Sequence, residues 1–112
     1  MITKDNLEEY FHLWNGKYKR LTRKFESDLP RFSSHTEARA WFKELFGDDF
    51  MISDTDTIDG EKMWFYTLLV NRPEWEKGMS GLKTQGYSSG IDFLMSSHSI
   101  EIFDSGRIHV VY

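Results

Sequence analysis

The chain contains no cysteine. That removes disulfides, thiol nucleophiles and cysteine-ligated zinc, and a cytoplasmic location is the simplest expectation. Proline is scarce, at two positions in 112 residues, Pro30 and Pro73, so long elements are free to form on either side of each. No run of about 18 apolar residues occurs, so no membrane span is expected. The opening stretch Met1-Ile-Thr-Lys-Asp-Asn6 lacks the apolar segment of a secretory signal. A general excess of positive charge is missing too: the net charge is −4, whereas a nucleic-acid-binding domain is usually basic. No G-x-S-x-G elbow or other motif that specifies a reaction is found.

What the chain does have is apolar and aromatic weight. At 39% hydrophobic and 16% aromatic, it can bury enough area to offset its ordering entropy, and its length suits one domain over residues 1–112. Charge is uneven. Residues 1–34 carry seven Lys/Arg against five Asp/Glu, residues 35–61 two against eight, and residues 62–112 five against five.

The C-terminal stretch is the most informative. Ser99–Phe103 and Arg107–Tyr112 alternate apolar and polar residues around Asp104-Ser105-Gly106. A three-residue loop pairs Ile102 with Ile108 and Ile100 with Val110, and gathers Ile100, Ile102, Ile108, Val110 and Tyr112 on one face. A two-residue loop would mix polar and apolar side chains on both faces, so the first register is expected. It also places Gly106 at the left-handed position of a turn followed by a bulge. Glu101 then faces His109. Ile91, Phe93 and Met95 alternate as well and predict a further strand, followed by a loop at Ser96–His98.

Toward the N-terminus, Leu7, Tyr10, Phe11, Trp14, Tyr18, Leu21 and Phe25 fall on one helical stripe behind a capping pattern, Asp5–Glu8. The stripe stays in phase across Asn15-Gly16, so one long, kinked helix is predicted. Ser34–Glu37 is a second capping box ahead of Ala38, Trp41, Phe42, Leu45 and Phe46, with Gly47 as the stop. Phe50–Ser53 reads as a short strand, Asp54–Glu61 as an acidic loop, and Lys62–Val70 as an interior strand apolar on both faces. Asn71 and Pro73 start a third helix that Gly86 ends, and Tyr87–Gly90 is a loop. The predicted class is α+β. An N-terminal helical hairpin packs on a mainly antiparallel sheet, in the order α-α-β-β-α-β-β-β.

Four groups of residues are candidate sites. Lys17, Arg20, Arg23 and Lys24, with Lys19, concentrate cations on the first predicted helix and suit phosphate or an acidic partner. A solvated helix end, where the dipole favours cations, is the default explanation of such a run. Asp54, Asp56 and Asp59 form an acidic loop that departs from the calcium-loop spacing and suits a basic protein surface. Glu101 and His109 are a candidate carboxylate–imidazole pair for proton transfer, and ordinary cross-strand partners otherwise. His98 belongs to the opposite side of that pleat, so no metal set is expected. Ser97 and Ser99 beside His98 need no explanation beyond turn chemistry. Trp14, Trp41, Trp64 and Trp75 all read as core residues, with a rim anchor as the exception.

No cofactor is called for. The expected function is contact with another protein, in the manner of small inhibitors, immunity proteins or phage-type antagonists of host defence. Nucleic-acid contact through the basic helix face is the alternative, and a small hydrolase using Glu101 and His109 is the second. The strand 107–112 is expected to be either internal to the sheet, with Lys62–Val70 docked on its outer side, or used in association, as a homodimer or by strand addition to a partner.

Overall fold

The computed structural model describes residues 1–86 and 90–112. The serine-bearing loop expected at Tyr87–Gly90 therefore falls, for residues 87–89, outside the described residues. The architecture is α+β, built on two antiparallel sheets.

The larger sheet has four strands in the order β3-β4-β5-β6: β3 Phe50–Ile58, β4 Glu61–Leu69, β5 Ser97–Phe103 and β6 Ile108–Val111. The β5–β6 register is the one expected, with Ile102 opposite Ile108, Ile100 opposite Val110 and Glu101 opposite His109. Gly106 holds φ +92°, and its missing side chain lets the backbone of Phe32 sit against the turn. Ile100, Ile102 and Val110 are buried. Each contributes about 1.5–3 kcal/mol by leaving water. β4 is interior, paired with β3 on one side and β5 on the other. Its core face carries Tyr66 and Leu68, and Tyr66 stacks on Phe50, which stacks on Phe42 of helix α2 (His35–Phe46). The Ser34 hydroxyl accepts from the Glu37 amide at 3.2 Å, so α2 starts at the expected cap.

Several expectations are overturned. The N-terminal helical hairpin does not form. Residues Leu7–Tyr10 make one 3-10 turn, followed by a two-stranded sheet, β1 Phe11–Trp14 and β2 Tyr18–Leu21, and then a short helix α1, Arg23–Ser27. Asn15 and Gly16 both take positive φ, +55° and +69°, and Lys17 N–H donates to the Trp14 carbonyl at 3.1 Å. That is a turn matched to strand twist, which a continuous helix cannot accommodate. The 3.6-residue stripe was compatible with a helix, yet the same side chains divide between the core (Tyr10, Leu21, Phe25) and a surface cleft (Trp14).

Next, Ile91–Met95 is not a strand. Ile91–Leu94 forms one helical turn, α4, because Phe93 seats its ring where Gly78 of helix α3 (Arg72–Gln85) leaves space. Ser96–His98, expected as a loop, instead opens β5 from Ser97 onward.

Finally, the acidic stretch Asp54–Ile58 is not a loop. It continues β3, past a bulge at Ser53, to a two-residue turn at Asp59-Gly60. Asp54 and Asp56 each accept the amide of the following threonine, at 2.8 and 2.7 Å. On an edge strand those carboxylates occupy amide donors and add negative charge, which blunts pairing with another strand.

Candidate functional site: a cationic cleft with aromatic walls

A cleft of about 410 Å³ lies between the β1–β2 hairpin, the residue that closes α4, and the end of β6. In this register His12 faces Arg20 across the pair and Trp14 faces Tyr18. Alternation then puts His12, Trp14 and Arg20 on the cleft side. Met95, Arg23 and Tyr112 complete most of the wall, and His98 lies at the floor.

The floor is built around one imidazole. His98 Nε2 lies 3.0 Å from the Leu21 amide nitrogen, which can only donate, so Nε2 accepts. Nδ1 therefore carries the proton and donates it to the Val111 carbonyl at 3.0 Å. The contact of Arg20 Nη2 with Nδ1 at 3.3 Å sets donor against donor in this tautomer and adds no hydrogen bond. Burial pulls the His98 pKa down to about 4, with the Arg20 charge adding to the effect, so the ring is neutral at pH 7. Its work is structural. It ties β2 to β6 through β5, and it takes up an amide that a helix would have satisfied internally.

Arg20 is only 9% exposed. Nη1 donates to the Met95 carbonyl at 3.0 Å and the Ser97 carbonyl at 2.8 Å. These bonds hold the guanidinium rigid, and among the described residues its charge has no carboxylate partner; burial lowers its pKa. Arg23 stands over the Tyr112 ring, 4.8 Å from its centroid. Among the described residues no carboxylate lines the cleft. Glu26 comes near, with Oε1 3.4 Å from the Tyr112 hydroxyl, but Oε2 accepts the Val110 amide at 2.9 Å.

The cleft wall continues into exposed apolar surface. Trp14 is 42% exposed, a correction to its reading as a core residue. Leu94, beside Met95, is 71% exposed, and Ile91 is exposed on the same helical turn, whereas Leu13 and Val111 are exposed on the opposite faces of their strands. The hairpin is fastened to α4 at this end, where Asp92 accepts from the Tyr18 hydroxyl at 2.6 Å and pairs with Lys17 at 3.3 Å.

The other candidates are dispersed. Of Lys17, Arg20, Arg23 and Lys24, expected on the first predicted helix with the first, second and fourth sharing a face, Arg20 and Arg23 line the cleft. Lys17 is taken by Asp92, and Lys24 lies over the Tyr10 ring. Glu101 and His109 do touch, Oε1 to Nδ1 at 2.8 Å, on the face of the sheet opposite His98. His109 is well exposed, and His98 is buried away from the pair, so the three residues form no ligand set. Asp54, Asp56 and Asp59 lie on the far edge of the sheet, on β3 and its turn.

Two features had escaped the sequence reading. His35 stacks on Trp64 with ring centroids 3.7 Å apart and meets the Tyr66 hydroxyl at 2.7 Å, where burial and Arg39 lower its pKa. The cleft itself joins residues near both chain ends. Compared with known proteins, the chain matches no family model, no curated protein and no solved structure.

Proposed function

We propose that this chain is a non-enzymatic protein-binding domain that acts on its partner by contact and occlusion, as small inhibitors, immunity proteins and phage-type antagonists do. The observation that supports this reading is the cleft: a fixed guanidinium with no carboxylate partner among the described residues, flanked by exposed Trp14 and Tyr112, with exposed Leu94 next to Met95 of its wall. A desolvated cation steers and orients an acidic partner group, and exposed aromatics with flanking aliphatics supply the area that holds it. Exposed apolar surface gathered at one end of a small protein marks interaction sites.

The test compares capture of host proteins by the wild-type chain with capture by Leu94→Ser and Trp14→Ala. Both positions are exposed, so the fold should survive, as checked by thermal unfolding. A partner held by the wild type and lost from both variants supports the reading. A partner retained by both, or none captured at low and moderate salt, removes it.

A further inference from the structure

We propose that the group received by the cleft is an acidic residue adjacent to an aromatic one on the partner chain, with the carboxylate at Arg20 and Arg23 and the ring between Trp14 and Tyr112. This rests on the preceding reading and names the chemistry at its centre. Three observations carry it.

The first is charge. Arg20 is nine-tenths buried, its Nη1 is committed to two carbonyls, and no carboxylate among the described residues lines the cleft. A guanidinium fixed in this way presents its remaining N–H groups without further loss of side-chain entropy, and its planar fork suits a carboxylate. Arg23, exposed and lying over Tyr112, supplies a second cation at the rim.

The second is shape. About 410 Å³ is near the small end of ligand clefts, which run from about 300 to 1,000 Å³. That is room for one or two side chains and too little for a secondary-structure element. The walls that are not cationic are chiefly aromatic or apolar: Trp14, Tyr112 and Met95. A ring entering between them finds two faces and a polarisable sulfur.

The third decides between a peptide and a free aromatic anion such as a mononucleotide, which has the same head chemistry. Leu94, 71% exposed beside Met95, extends apolar surface past the cleft, beyond what a small ligand fills. A chain continuing past the anchor would cover it.

The experiment uses the ¹⁵N-labelled full chain and two probes, a capped peptide Gly-Asp-Tyr-Gly and adenosine monophosphate. Up to about 10 mM of each is added, since an isolated anchor of this size is expected to bind in the millimolar range. The expected result is that the peptide shifts the Trp14 indole N–H, the Arg20 Nε–H and the Tyr112 amide. Replacing the peptide's Asp by Asn, or its Tyr by Ala, should weaken binding at least about tenfold, a loss of about 1.4 kcal/mol. Arg23→Glu, at an exposed position, should abolish it with the fold intact. Equal binding of the Asn peptide, shifts from the nucleotide alone, or no shift from either probe overturns the inference. If partner capture still depends on Leu94 and Trp14 in that event, the protein-binding reading stands and only the acidic–aromatic anchor falls. If capture is indifferent to them, the reading itself falls.

Discussion

The Leu21 amide donates to His98 Nε2 across 77 positions of sequence, at 3.0 Å. This bond exists only while the imidazole is neutral. Protonation would turn its acceptor into a donor facing another donor, beside the Arg20 charge.

Stability is therefore expected to fall in mild acid. The His98 pKa drops from 6.5 to about 4 on folding, so between those values the unfolded chain binds the extra proton. The stabilisation is complete above about pH 6.5 and is lost as pH falls toward 4. Burial lowers the pKa of His35 as well, which acts in the same sense. Urea unfolding should show about 2 kcal/mol less stability at pH 5 than at pH 7.5, and His98→Gln should remove most of that difference. A wild type whose stability is flat over this range would contradict the assignment of a buried neutral imidazole.

Gly16→Ala separates a hairpin from a helix by the sign of its effect. In a helix interior, alanine is better than glycine by about 1 kcal/mol. At φ +69° in the turn between β1 and β2, alanine should instead cost about 1 kcal/mol. The loss should appear in denaturant midpoints, and a gain would restore the helical reading of residues 7–25.

Gly106→Ala should be much more damaging. Its φ is +92°, and an added Cβ would run into the Phe32 carbonyl, a backbone group that cannot rotate aside. Strain and overpacking together should cost about 2–4 kcal/mol, enough to lower the melting temperature by roughly 10 °C or more. An unchanged melting temperature would mean that the loop before α2 is not held against the β5–β6 turn.

β6 is an edge strand, since β4 pairs with β5 and not with it. Its outward Val110 amide is covered by the Glu26 carboxylate of α1, not by another strand. Glu26→Ala should open this edge. The Val110 amide should exchange at least about tenfold faster, since a hydrogen bond to a charged group contributes about 1.5–3 kcal/mol. We propose that the freed strand then pairs with a second copy through residues 107–112. Light scattering should show mass rising with concentration, and a second change, Val111→Lys, should reverse it. Unaltered exchange with a monomer at all concentrations would take the guard role from Glu26.

The sequence by itself determined the features whose competing arrangements differ within a dozen residues. The β5–β6 register follows from alternation around Gly106, because a one-residue slip would turn Ile100, Ile102 and Val110 outward. The start of α2 follows from Ser34, whose hydroxyl accepts the Glu37 amide, while the Glu37 carboxylate accepts from the Ser33 hydroxyl. Tertiary structure decided where local signals were even. Leu7 to Phe25 fits a helical stripe and also two aromatic strands about an Asn-Gly turn. The hairpin prevails because the Leu21 amide and the Tyr10 carbonyl find partners outside a helix, the His98 imidazole for the one and the Thr22 amide for the other. Ile91 to Met95 is short enough to suit either period, and the space over Gly78 selects the helical turn that seats Phe93. The cleft could not be read at all. Trp14, Arg20, Met95 and Tyr112 share no local pattern, and what brings them together is the burial of His98 between strands from opposite ends of the chain.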